Sequence, residues 1–292
     1  MATERKGKGH ISLARHVVQV LVLALFCIPP LAVGQGLFGA TSGSEELAQT
    51  ASTLPFFGSL SSSTLAGLVL ADPFAVLETI MASKDVVVGA LVGALPIVLL
   101  YGIVRGRAFC GWACPVNLVL EPLDALRAKL GIKVREHGCP RHVKLWVALG
   151  ALVVAAVTGQ LVWEAVNPIS LFSKGLLFGS LTGLATFVGI IVVDLVWGHR
   201  VWCRALCPLG GFYEALGTVG TVSVKMDYDA CIHCDRCKQV CLCDPEILDG
   251  VLSGATKRVE AGDCMLCGKC VDTCPTKALS IGFAAPTRTK KD

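Results

Sequence analysis

Apolar residues dominate four long stretches of this chain: Leu13 to Val33, Val86 to Val104, Leu145 to Val166 and Leu176 to Trp197. Each has about the twenty residues that a helix, rising about 1.5 Å per residue, needs to cross a hydrocarbon layer. The pattern predicts four transmembrane helices, with the second kinked where Pro96 removes a backbone donor. A cleavable signal peptide is the alternative for the first stretch, since a basic start leads into an apolar run and small residues near Ala32 to Gly36. Its length and the Pro29-Pro30 pair favour a retained helix.

Orientation follows from where lysine and arginine fall. Arg5, Lys6, Lys8 and Arg15 sit at the N-terminus, and Arg105, Arg107, Arg127, Lys129, Lys133, Arg135, Arg141 and Lys144 fill the second-to-third connection. The Ser/Thr/Gly-rich loop from Gln35 to Asp85 has only Lys84, and the third-to-fourth connection only Lys174. Both termini are therefore expected on the cytoplasmic side.

Composition fits this reading. A mean hydropathy of +0.65 with 16% charged residues is too apolar for a water-soluble chain with one core, so the excess is expected to face lipid. The net charge of +4 is modest and gives no sign of a nucleic-acid partner. Fifteen cysteines at C-x-x-C spacing beside apolar runs read as metal ligation by reduced thiols, not as disulfides.

An internal repeat links the two halves. Arg107, Cys110, Cys114, Pro115 and Glu121 recur at the same mutual spacing as Arg200, Cys203, Cys207, Pro208 and Glu214. Asp72-Pro73 and Asn167-Pro168 extend the match, predicting two helical hairpins related by an axis along the membrane normal.

The strongest chemical signal is C-terminal: Cys231, Cys234, Cys237 and Cys241, then Cys264, Cys267, Cys270 and Cys274 followed by Pro275. Three cysteines on a tight turn grip three irons of a cubane, and in two-cluster ferredoxins the fourth ligand is the last cysteine of the other run. This assigns Cys231, Cys234, Cys237 and Cys274 to one 4Fe-4S cluster, and Cys264, Cys267, Cys270 and Cys241 to a second. Zinc is the competing metal for such pairs, though two successive four-cysteine runs argue against it. Leu242 replaces the usual proline after Cys241, and Cys243 stands beside it, so a ligand exchange between Cys241 and Cys243 stays open.

The expected fold is thus an α-helical membrane protein with a C-terminal α+β module of the bacterial two-cluster ferredoxin type. Its parts are an N-terminus (1–12), a first hairpin (13–104), a loop with the first C-x-x-x-C-P motif (105–144), a second hairpin (145–197), a segment with the second motif (198–222), the cluster module (223–284) and a basic tail (285–292). Ferredoxin-type clusters carry single electrons, which makes the module a conduit.

Cys110, Cys114, Cys203 and Cys207 offer a further metal centre, redox dithiols or plain packing; on a helix each pair would share one face. Cys27 reads as packing and Cys139 as an exposed thiol. Asp194, His199 and Glu164 are weak candidates for proton acceptors, because helix-end snorkelling also explains them. Glu121 and Glu214 stand out only by their repeat equivalence, and Arg107 and Arg200 read as positive-inside anchors. His10, His16, His142 and His199 all map to the expected cytoplasmic side, which argues against a haem stack across the layer.

Four apolar helices, duplicated C-x-x-x-C-P motifs and a terminal double cluster run, in that order, resemble the NapH family, as does Pro245-Glu246 with Leu248 and Leu252. Proteins of methylamine utilisation, nitrous oxide respiration and oxidase copper maturation share these motifs. The resemblance implies a bacterial inner-membrane protein that oxidises menaquinol or ubiquinol and passes electrons through a periplasmic iron–sulfur partner of NapG type to a reductase. Two alternatives are a maturation protein whose clusters reduce a metal such as Cu(II) at the paired cysteines, and an anchor that only docks soluble redox proteins.

Overall fold

The computed structural model describes residues 9–32, 56–58, 62–65, 68–131, 140, 142–172 and 181–283. Cys139, Lys133, Arg135, Arg141, Lys174, the side chain of Cys27 and the basic tail lie outside these residues.

The chain opens with α1 (His10–Ala32), followed by a three-stranded antiparallel sheet of β1 (Phe56–Gly58), β2 (Ser62–Leu65) and β3 (Leu68–Ala71). Helices α2 (Pro73–Ser83) and α3 (Val88–Val104) follow, so the expected Ser/Thr/Gly-rich loop contains a small sheet and a helix. The first motif lies on α4 (Ala108–Trp112) and at the start of α5 (Pro115–Lys129). Next come α6 (Val143–Thr158), α7 (Val162–Val166), a helical turn over 168–172 and α8 (Leu181–Val196). A π-helical turn (Trp202–Leu206) and α9 (Pro208–Gly217) carry the second motif.

Among the described residues, no helix is long and apolar enough to cross a membrane, which overturns the expected four transmembrane helices. A break, short lengths and buried polar residues explain it. The third apolar stretch is split at Gly159, whose left-handed φ of 68° ends α6. With 17 residues in α3 and 16 each in α6 and α8, these helices reach only about 24–26 Å against a layer of about 30 Å. Helix α1 is longer, but its first half carries Arg15 and Gln19, both buried against protein. Large apolar side chains remain exposed, among them Leu99 and Ile103 on α3 and Trp146 on α6.

The inner-membrane, multi-pass placement with cytoplasmic termini rested on those spans and falls with them. The basic residues used for orientation have other work. Arg105, buried, donates to the carbonyls of Val222 (3.0 Å), Val259 (3.0 Å) and Ala261 (2.6 Å), fastening α3 to the C-terminal module. Arg15, Arg107, Lys144 and Arg200 are equally buried. A buried cation needs hydrogen-bonded partners, and here these come from other parts of the chain.

The C-terminal module is closed by its first and last strands. β4 (Val222–Met226) pairs antiparallel with β5 (Leu279–Phe283), from Val222 opposite Phe283 to Met226 opposite Leu279. Between them lie α10 (Arg236–Gln239), a 3-10 turn (Pro245–Leu248), α11 (Asp249–Leu252) and α12 (Lys269–Thr273). Val224, Leu248, Val251, Val259, Met265 and Leu279 form its apolar core. Phe74, Trp163, Ile169, Leu209 and Tyr213 form a second core among the helices.

The N-terminal helix is joined to this module. The Asp272 carboxylate accepts from Ser12 N (2.8 Å), Ser12 Oγ (2.7 Å) and Ile11 N (3.3 Å), satisfying donors that the first turn of α1 leaves open.

Candidate metal centres

The two cysteine runs of the module share one backbone course. His233 and Asp235 in the first are left-handed, as are Leu266 and Gly268 at the matching places in the second. Left-handed residues alternating along a short run turn successive N–H groups inward and make an anion-binding concavity. One such group, His233 N–H, donates to Cys231 Sγ at 3.4 Å.

Cys231, Cys234, Cys237 and Cys274 line one cavity, walled by Ile232, Leu252 and Leu279. These four come from opposite ends of the module and are the set expected for the first cluster. All are free thiols, as is every described cysteine. Among the described residues no three His, Cys, Asp or Glu side chains are arranged to hold a single metal ion. A cubane asks for something else, four thiolates standing around a volume, and this donor set fits it.

For the second set, Cys264 and Cys267 are buried and Cys270 is partly buried beside them. Cys241 and Cys243 stand side by side and share a hydrogen bond; that bond pushes the Cys241 thiol up and holds Cys243 down at about 7. Both lie close enough to Cys267 to raise one another's pKa, so position alone leaves the exchange between them open.

The C-x-x-x-C-P cysteines do not sit on continuous helix faces. Proline disfavours a helical residue before it, so each motif breaks there. Helix α4 stops at Trp112, Cys114 sits in the gap, and Cys207 is extended (φ −77°, ψ 110°), with its Sγ accepting from Gly210 N at 3.3 Å. The breaks bring the two pairs together. Cys110, Cys114, Cys203 and Cys207 line a single cavity with Arg107 and Asn117. Burial raises all four thiols, Cys203 to about 12, while the Arg107 charge pulls Cys110 the other way.

The repeat is held by crossed contacts. Arg107 Nη2 donates to Cys203 O (2.9 Å), and Arg200 Nη1 donates to Asn117 Oδ1 (2.5 Å). Arg107 Nη1 also reaches Asp263 O (2.9 Å), and Arg200 Nε reaches Asp124 Oδ2 (2.7 Å). The two equivalent glutamates each receive a cation from a helix distant in the chain. Glu121 takes Arg15 (2.5 Å) and Lys269 (2.9 Å), and Glu214 takes Lys144 (3.1 Å) and His142 (2.9 Å). Burial would raise the Glu121 carboxyl, yet the Arg15 bond and the Lys269 charge hold it at about 2.

The weaker candidates have local partners. Asp194 accepts from Trp202 N (3.2 Å) and is raised to about 6 by burial. Glu164 accepts from Ser170 Oγ (2.5 Å), and His199 Nε2 lies 3.3 Å from Asp124. Sequence reasoning passed over Asp263, Asn117, Asp124 and Met265, none of which belongs to a recognisable spacing. The doubled motif was the one signal that could have led to Asn117 and Asp124, which follow the first pair.

Comparison with known proteins agrees with the cysteine pattern. A family described as a 4Fe-4S binding domain matches residues 86–133 and 180–223, and another of the same description matches residues 258–280. The methylamine utilization ferredoxin-type protein MauN of Methylorubrum extorquens is 36% identical over 269 residues, covering 91% of this chain and 87% of the relative. MauN of Paracoccus denitrificans is 38% identical over 71% of this chain and 74% of the relative. The ferredoxin-type protein NapH of Escherichia coli is 33% identical over 77% of this chain and 79% of the relative. No solved structure matches. With free thiols gathered at the expected places and likeness over most of its length, the chain belongs to the NapH and MauN family of ferredoxin-type electron-transfer proteins.

Proposed function

We propose that the chain relays single electrons through two 4Fe-4S clusters from a quinol donor to an iron–sulfur partner of NapG type, which feeds a reductase. Bound clusters would supply one-electron storage and transfer. Cys231, Cys234, Cys237 and Cys274 would hold the first, and Cys264, Cys267 and Cys270 with Cys241 the second. The observation that carries this reading is the meeting of the first four around one cavity. Cys234 is exposed there, with Ile232 beside it, so a partner could approach the first cluster closely. The second set lies deeper, against Arg107 and the first C-x-x-x-C-P segment.

Relatives named for methylamine utilization favour a second pathway for the same relay, in which only the outer partners differ. Anaerobically purified full-length protein, assayed for iron and acid-labile sulfide and followed by EPR during quinol addition with the partner present, tests the proposal. Cubane signals that develop on adding quinol support it. Zinc without labile sulfide overturns the cluster reading, and cubanes that quinol never reduces overturn the donor.

A further inference from the structure

Resting on the reading of quinol as the electron donor, we infer that the open groove between α6 and α8 is the donor's seat, taking an uncharged aromatic ring and its hydrocarbon tail beside Trp163 and Trp202. The groove offers about 580 Å³, within the range of about 300–1,000 Å³ where small-molecule sites fall. Its walls come from α6, α7, α8 and the segment 202–208.

Charge and shape select the occupant. No lining residue is charged, and Thr186 carries the one side-chain hydroxyl among them. Moving a phosphate or carboxylate between such walls without a partner is costly, which disfavours nicotinamide and flavin nucleotides and acidic peptides. A neutral redox carrier with a hydrocarbon tail meets no such cost. Gly150 on α6 and Gly189 on α8 keep the groove wide, since a Cβ at either would find no atom within 4 Å. Glycine weakens a helix interior relative to alanine, so two of them facing one groove are unfavourable unless the space is used.

Position ties the groove to the redox chemistry. Trp163 and Trp202 line it and also line the cavity of Cys110, Cys114, Cys203 and Cys207, so the two spaces share a wall. Trp202 precedes Cys203, while Leu206 and Pro208 flank Cys207, which makes the segment carrying the second cysteine pair one side of the groove. Carboxylates fix both tryptophans. Glu78 Oε1 accepts from Trp163 N (2.6 Å) and Asp194 Oδ1 from Trp202 N (3.2 Å). Indoles held in place this way can stack on a flat ring without being ordered first.

Oxidation of a hydroquinone seated there breaks its two O–H bonds. Two electrons leave, one to each cluster of the ferredoxin module, and two protons pass to water at the rim, where Val154 and Val166 are 46% and 42% exposed.

Gly150→Leu and Gly189→Leu, made singly in the full chain, fill the groove from opposite walls while raising helix propensity, so both should fold. Anaerobic, cluster-loaded protein is titrated with a menaquinone carrying two prenyl units, read by tryptophan fluorescence. The clusters are then exposed to the matching menaquinol or to dithionite, read by EPR. Wild type should bind the quinone saturably, and each variant roughly tenfold or more weakly. Dithionite should reduce the clusters of all three proteins, and menaquinol those of wild type alone. Variants that menaquinol reduces at the wild-type rate overturn the groove as the seat while quinol stands as donor. Saturable binding that the variants lose, with no reduction by menaquinol in any protein, supports the seat and overturns the donor. Absence of binding in wild type overturns the inference, as does a fatty alcohol of equal tail length that binds as tightly as the quinone, or a dimer of wild type that Gly189→Leu disperses.

Discussion

Arg107 donates to the carbonyl oxygen of Cys203 at 2.9 Å, so the arginine of the first motif holds the backbone of the second. Its other terminal nitrogen holds Asp263 O at 2.9 Å, tying both halves of the repeat to the ferredoxin module. Lysine, a point charge on a flexible stem, cannot reproduce this fork. Arg107→Lys is expected to destabilise the protein by about 2 kcal/mol or more, because a buried carbonyl loses its donor. Denaturant midpoints of variant and wild type measure the loss, and a change within error would remove Arg107 as the joint.

Cys241 and Cys243 differ in kind as well as in number. Cys241 has the spacing of a fourth ligand, whereas Cys243 is fully surrounded, next to Arg107 and Asp263. Cys241→Ala should abolish the second cubane, and Cys243→Ala should keep it with a shifted reduction potential. Iron per chain and a redox titration followed by EPR distinguish them. The opposite pattern would assign the ligand to Cys243.

Asp72 caps α2, accepting from Phe74 N at 2.9 Å, and burial raises its carboxyl from 3.8 to about 6. The folded protein then binds more protons than the unfolded chain between these values, so stability falls as pH rises from about 4 to about 6 and is level above. Asn167, its counterpart in the repeat, caps the next turn through Oδ1 to Ile169 N (3.0 Å) without any charge. Asp72→Asn should remove the slope and raise stability above pH 6. Unfolding midpoints of both proteins across about pH 4 to 8 test it, and parallel curves would refute it.

Gly111 lies where the first motif crosses the second cysteine run, and a Cβ there would stand 2.5 Å from Met265 O. Gly111→Ala should cost about 1–3 kcal/mol, since backbone must move on one side or the other. Gly150, a helical glycine with nothing within 4 Å, is the control; Gly150→Ala should stabilise by about 0.5–1 kcal/mol. Equal effects in thermal unfolding would show that the crossing tolerates slack.

The sequence carried the chemistry further than the architecture. Cysteine spacing is a local quantity, and the same spacing that named Cys231, Cys234, Cys237 and Cys274 is what wraps them about a cavity. Doubling was legible too, because Arg107 and Arg200 or Glu121 and Glu214 are compared along one string. Their partners were not, since Arg15 meets Glu121 across 106 positions and His142 meets Glu214 across 72, with several helices between. Apolar runs misled for a related reason. They register which residues avoid water but not where a left-handed Gly159 or a motif proline ends a helix, and helix length decides whether a layer can be crossed.

The clasp between Asp272 and Ser12 has a bearing on how the protein is made. A ribosome releases Ser12 long before it reaches Asp272, 260 positions later, so the opening helix is born with its leading amides unanswered. They are met only after the last cysteine run has been synthesised and its short helix wound. The earliest segment to emerge is thus among the last to settle.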